Sequence, residues 1–330
     1  MSNLQMRCIE RPDSRIRTSL HIGGAAAPVA PDARLSLLGA GGQTLSRCSL
    51  WWRGTPRLQG STVGLIGHYA ARDAESAACL LEEACTRLAA RGHTLAVGPV
   101  NGSTWMRYRF VVERGSKPPF FLEPDNPPES PAQFENFGFE TLALYRSRVQ
   151  ENLFLESTRL ARADARLRGL GVRIRGLDTR RMTQELQCIH ALSLECFSDA
   201  LLFSPITVDA FIARYRLLMP HIDPRLVLLA EHQGRLVGYL FALPDARQSV
   251  PGADVDTVIL KTVAVAPGRC YAGLGHVLAM HAAARARTLG YTRAIHALMR
   301  EGGGSANWSA QLGRPLRRYA LFAKTLHDRH

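Results

Sequence analysis

The sequence predicts an α/β (α+β) protein of two similar domains, each a mixed, mostly antiparallel sheet flanked by helices. Three observations predict it. The 330 residues leave room for two ordinary domains. Both halves run in the same order: hairpin, long strand, helix, strand, short polar segment, terminal strands. This is a pseudo-repeat of about 150 residues, and duplication is its economical explanation. In each half, apolar residues switch from strand-like runs to helical spacing and back. Residues 1–150 are the first expected domain, 151–171 a connecting helix or linker, and 172–330 the second.

The first thirty residues read as irregular. ARLSLL and TLSRCSLWW form a hairpin around the GAGGQ turn, and STVGLIGHYA is a strand. SAACLLEEACTRLAARG is an amphipathic helix. Ala77, Leu80, Leu81, Ala84, Cys85 and Leu88 recur at helical spacing, and Gly92 ends it. HTLAVGPVN is the next strand. A proline-rich loop follows, and FGFETLALYRSRV closes the half as one or two strands. Residues 151–170 read as the connecting helix. VRIRGLD opens the second half as a strand, before two helices within 183–219. RLVLLAEHQGRLVGYLFALP is a hairpin turning at Gly234, and DTVILKTVAVAP is a long strand. HVLAMHAAARARTLG is a helix stopped by Gly290 and TRAIHALM a strand. SANWSAQLG is a short helix and RRYALFAKTL the last strand.

Composition narrows the function. The net charge is +13, and 38 of the 41 basic residues are Arg. The first half carries +4 and the second +9. A basic half points to an anionic cofactor or a polyanionic partner. Eight arginines and two acids lie between Arg159 and Arg181. No apolar run approaches membrane-spanning length, and the N-terminus lacks a secretory pattern. The expectation is a cytoplasmic protein with no membrane partner. The seven cysteines form no CxxC pair, and no His–carboxylate spacing emerges, so neither a disulfide framework nor a metal is expected.

The informative stretch is APGRCYAGLGHVL, residues 266–278. It lacks the third glycine of a dinucleotide fingerprint and the Gly-Lys-Ser/Thr of a nucleotide-triphosphate loop. It still offers consecutive backbone N–H groups and a helix N-terminus to a phosphate. Hairpin, long strand, V-A-V-x-P, glycine turn, helix, strand: this order resembles the GCN5-related N-acetyltransferase (GNAT) superfamily. That signature is Arg or Gln, two residues, Gly, one residue, then Gly or Ala. Gly273 and Gly275 fit it. Cys270 stands at the Arg/Gln position, with Arg269 one place early. ILKTVAVAP, the IHALM strand and RRYALF look like the C-terminal module of tandem GNAT proteins. GPVNGSTWMRYRF and FENFGFETL look like the paired module. In the first half the turn before the helix, AARDAESAACL, has no glycine. That half is therefore expected to be a degenerate GNAT-like domain, and the second the working one.

The resemblance implies attack by a primary amine on the thioester of acetyl-CoA or another acyl-CoA. The backbone N–H groups of Val263 and Val265 would meet the acyl carbonyl. Arg269, Cys270, Tyr271, Ala272, Gly273, Leu274 and Gly275 would cradle the pyrophosphate, with Tyr271 as a lid. Ser305 and Asn307 would face the pantetheine arm; Ser305 is also a natural N-cap. The family's usual acid is a Tyr on the short helix after IHALM, which has none here. Tyr319 is the nearest candidate, and a buried, paired structural Tyr is its plainer reading. Lys261 is unusual in an apolar strand. It is either a base of depressed pKa, a phosphate or carboxylate contact, or an edge lysine reaching water. Glu231 is a base acting through water or a solvated strand end. Two other readings keep the fold. In one, tRNA is the partner, gripped by Arg159, Arg162, Arg166, Arg168, Arg173 and Arg175. In the other, the chain is a non-catalytic binding module. The acceptor, a small-molecule or peptide amine, would enter between the helices of 183–219.

Overall fold

Glycine turns fold the first strands of each half back on themselves. In the computed structural model, β1 (Gln5–Glu10) precedes the hairpin of β2 (Ala33–Leu38) and β3 (Thr44–Trp51). Gly42 takes a positive φ of 75° in that hairpin's turn. The structure describes residues 4–10, 30–154, 157–248, 255–303, 309 and 313–327. β4 (Arg57–Leu58) pairs with β5 (Ser61–Ala71), which leads into α1 (Ala74–Ala89). Asp73 caps α1 by accepting from the Ser76 N–H at 2.8 Å. The apolar stripe predicted for α1 is the face it buries. β6 (Leu95–Gly98), β7 (Phe110–Glu113), α2 (Ser130–Asn136) and β8 (Glu140–Gln150) complete the half.

α3 (Thr158–Gly169) connects to β9 (Arg173–Gly176), α4 (Met182–Phe197) and α5 (Val208–Leu218). The second hairpin is β10 (Val227–His232) and β11 (Arg235–Pro244). Gln233 and Gly234 both have positive φ, 50° and 76°, as a two-residue hairpin turn requires. β12 (Thr257–Val265), α6 (Leu274–Thr288), β13 (Arg293–Arg300) and β14 (Arg314–Thr325) follow. Residues 305–308 and 310–312 of the expected short helix lie outside the described residues.

One continuous sheet runs β1-β2-β3-β5-β6-β14-β8-β13-β12-β11-β10-β9. Among the described residues only β5–β6 and β12–β13 pair in parallel, each joined through a helix, α1 or α6. The last strands are exchanged across the middle. β14 lies between β6 and β8, and β8 between β14 and β13. This mixed, mostly antiparallel sheet, flanked by six α-helices among the described residues, is the expected fold class.

Two expectations change. Gln5–Glu10, read as irregular, pairs along its whole length with β2, because it meets an otherwise open sheet edge. Ser130–Asn136, inside the proline-rich loop, is a short helix that buries Phe134 beneath α1.

Candidate functional site

β12 and β13 stay paired only from Thr257–Arg293 to Leu260–His296, and then part. The pairing of β11 with β12 jumps from Phe241–Thr262 to Ala242–Leu260, so Lys261 is the extra residue of a β-bulge. Beyond it the Ala266 N–H donates to the Val237 carbonyl at 2.9 Å. Strand alternation then turns the backbone N–H groups of Val263 and Val265 away from β11, into the gap. Val263 is 37% exposed at its mouth. Cys196 Sγ on α4 donates to the Val265 carbonyl at 3.2 Å, which fixes the strand's far end.

The glycine turn closes one side of this gap. Gly268 has φ 140° and Gly273 φ 87°, the second serving as N-cap of α6 with no side-chain cap bond. The N–H groups of α6's first turn therefore have no capping side chain. A Cβ on Gly275 would stand 3.4 Å from Val263 Cγ1, so turn and strand approach closely. Arg269 and Cys270 are exposed and Tyr271 half-buried. The Tyr271 hydroxyl meets His232 Nδ1 at 2.9 Å, pinning the turn to β10. Arg166 of α3 donates to the carbonyls of Cys270, at 2.8 Å, and Ala272. Ser305 and Asn307 lie outside the described residues.

Lys261 belongs to the opposite face. Gly238 on β11 faces Leu274 and Leu278 of α6, whereas the next residue, Tyr239, bonds Ser193 of α4 at 2.8 Å. α6 and α4 thus cover opposite faces. The Lys261 amine has Arg214 of α5, Arg109 and Glu123 in its electrostatic surroundings. Burial first, then Arg109 and Arg214, pulls its pKa down to about 7, against the pull of Glu123. Arg109 lies between the rings of Tyr108 and Tyr145, 3.8 and 3.9 Å from their centroids. Its Nη1 donates to the Leu298 carbonyl at 3.0 Å. Glu123 accepts from the Tyr319 hydroxyl and pairs with Arg317 at 2.8 Å, both carboxylate and guanidinium fully buried. The same Tyr319 hydroxyl lies 2.9 Å from Ser147 Oγ. Tyr319 is wholly buried, one group removed from Lys261.

Glu231 stands apart. β11 separates its strand from β12, and Arg175 donates to it at 2.5 Å while also holding Glu185 at 2.8 Å. The Arg175 hydrogen bond depresses the Glu231 carboxyl below its ordinary range. A carboxylate tied in this way is a weak proton acceptor, and its geometry is that of an ion pair bracing β9, β10 and α4. Arg175→Ala strands the buried Glu185 carboxylate and is expected to cost about 3 kcal/mol or more. Chemical denaturation checks this, and an unchanged midpoint would count against it. Of the other strip arginines, Arg168 pairs with Asp164 at 2.7 Å, and Arg159, Arg162 and Arg173 are exposed.

The corresponding region of the first half is closed. A Cβ on Gly67 would meet the Val100 carbonyl oxygen at 2.2 Å. Val100 N–H donates to Ile66, and the His68 N–H to Asn101 Oδ1, both at 2.8 Å. The Asp73 carboxylate occupies the N-terminus of α1. Among the described residues no group of three or more His, Cys, Asp or Glu is placed to hold a metal, and no helix is long and apolar enough to cross a membrane. The seven cysteines are free.

Residues 186–303 match the Acetyltransferase (GNAT) family. Those residues are the GNAT-like part of the C-terminal half. Over 225 residues the chain is 29% identical to a bacterial ceramide synthase of Caulobacter vibrioides, covering 66% of this chain and 58% of that protein. It therefore spans less than two thirds of that relative. A GNAT protein from Sphaerobacter thermophilus superposes with a TM-score of 0.51 at 11% identity, over 94% of this chain and 83% of the other. A tandem GNAT protein from the clavulanic acid biosynthesis pathway gives 0.50 at 12%, over 99% and 100%. These structures share the fold across both halves.

Sequence reasoning singled out Lys261 and the GNAT turn but missed Arg109, Glu123, Arg214 and Arg317. Their only sequence signal is charge inside otherwise apolar or aromatic runs, as in MRYRF and RRYALF.

Proposed function

We propose that the chain is an acyl-CoA-dependent N-acyltransferase and that the GNAT domain carries the reaction. The observation that carries this is the parting of β12 from β13 beside an uncapped α6. It supplies two unpaired backbone N–H groups and a helix N-terminus on one side of the gap, and Lys261 on the other. In this reading the pyrophosphate lies against residues 269–275, and the acyl carbonyl oxygen accepts from the Val263 or Val265 N–H. The acceptor amine approaches from the α4–α5 face and gives a proton to neutral Lys261. Its nitrogen attacks the thioester carbon. A C–N bond forms, the C–S bond breaks, and the thiolate leaves to take up a proton.

The ceramide synthase likeness favours a long-chain donor or acceptor over acetyl-CoA with a small amine. An aromatic wall suits such a chain. Trp105 packs against Phe203 and Phe211, at centroid distances of 6.0 and 5.8 Å, and donates to the Ser204 carbonyl at 2.7 Å. The wall bridges the first half to the loop between α4 and α5.

Calorimetry with palmitoyl-CoA and acetyl-CoA tests the proposal. Saturable binding of one equivalent is expected. Gly273→Asp is expected to weaken it roughly a hundredfold or more, because it strains a left-handed backbone position and adds a repelling charge. Equal affinity of wild type and variant, or binding of tRNA but of neither thioester, would overturn it.

A further inference from the structure

The first half contains a cleft that acyl transfer does not use. It encloses about 480 Å³ and is lined by Arg34, Arg47, His68, Arg107, Tyr108 and Arg109, among others. Arg34 and Ser36 on β2 face across to Ser49 and Arg47 on β3. These residues alternate with Leu35, Cys48 and Leu50, which pack with α1. The cleft therefore opens on the face of the sheet turned away from α1. Its lining shares His68 and Asn101 with the closed region around Gly67.

Its charge is one-sided. Among the described residues no carboxylate pairs with Arg34, Arg47 or Arg107. Among the described residues the only acid in the lining is Asp125, which Arg114 holds at 3.0 Å. Arg109 also contributes to the lining, but its guanidinium is engaged elsewhere, between the Tyr108 and Tyr145 rings and on the Leu298 carbonyl. His68 sits among the same charges, its Nδ1 3.0 Å from Ser49 Oγ.

We propose that this cleft binds a phosphate monoester. Several guanidinium forks without carboxylate partners match a dianion of three oxygens better than a single carboxylate, and Tyr69 and Tyr108 line the space for the organic part. The degenerate module then keeps a ligand of its own. This inference does not rest on the acyl-transfer reading.

The test is calorimetry of the full chain with phenyl phosphate. One saturable site is expected. Arg34 and Arg47 are exposed and their side chains make no hydrogen bond or ion pair among the described residues, so Arg34→Gln/Arg47→Gln should melt like the wild type. This double variant should bind roughly ten- to a hundredfold more weakly. Gly273→Asp, in the other half, should bind as the wild type does. Absence of saturable binding would overturn the proposal. So would affinity that survives the double substitution but disappears with Gly273→Asp, since that would place the phosphate at α6.

Discussion

Replacing Lys261 with Met is expected to lower kcat by about 10²- to 10⁴-fold, the range for loss of a positioned proton acceptor. Substrate affinity should change far less, because the glycine turn and the backbone proposed to meet the acyl group are untouched. The pH profile separates this role from mere packing. With its pKa pulled down to about 7, Lys261 is protonated and unable to accept a proton at pH 6, and largely neutral at pH 8. The rate of the wild type should therefore rise through about pH 7 and then level. In Lys261→Met that limb should vanish, and Lys261→Arg, which keeps the charge but not the titration, should be equally slow. A wild-type profile flat from pH 6 to 8, or a variant that keeps the limb, would remove Lys261 from the mechanism.

Glu123→Ala should be the most destabilising substitution at the seam. It removes the carboxylate paired with buried Arg317 and the acceptor for both the Tyr319 hydroxyl and the Phe120 N–H. Breaking one partner of a buried pair costs about 3–5 kcal/mol. Arg317 would still donate to the carbonyls of Lys117 and Pro118, at 2.7 and 2.9 Å, which keeps the cost within that range. Removing both charges, as Glu123→Leu with Arg317→Leu, should recover much of the loss, since neither buried ion is then stranded. Urea midpoints of the single and double variants decide it. A single variant as stable as the wild type would mean that the pair contributes little.

The contrast between these two residues shows how far the sequence could be read. Elements held by local rules were legible. The α1 stripe, the Gln233–Gly234 hairpin and the glycine turn before α6 depend on residues a few places apart. Lys261 stood out because a lysine in an apolar strand needs an explanation. Its surroundings did not. Arg109, Glu123 and Arg214 come from three separate segments, and no spacing links them to residue 261. The arginine strip shows the opposite case. Its composition suggested a surface for a polyanion, but the fold ties Arg166 to the GNAT turn, Arg168 to Asp164 and Arg175 to two glutamates. A count of charges cannot reveal which of them already have intramolecular partners. Strand β1 was missed for a related reason: its partner edge exists only once β2 has folded against β3.

The exchange of β8 and β14 also sets an order of events during synthesis. When residue 150 has been made, β6 lacks its neighbour on one side, because that neighbour is residues 314–325. At ribosomal speeds of about 5–20 residues per second, the gap is roughly 10–35 s. For that interval the nascent chain carries an open edge of apolar strand, Leu95–Gly98, the kind of surface that chaperones cover and aggregates exploit. β14, made long after β6, is thus the strand that covers that edge.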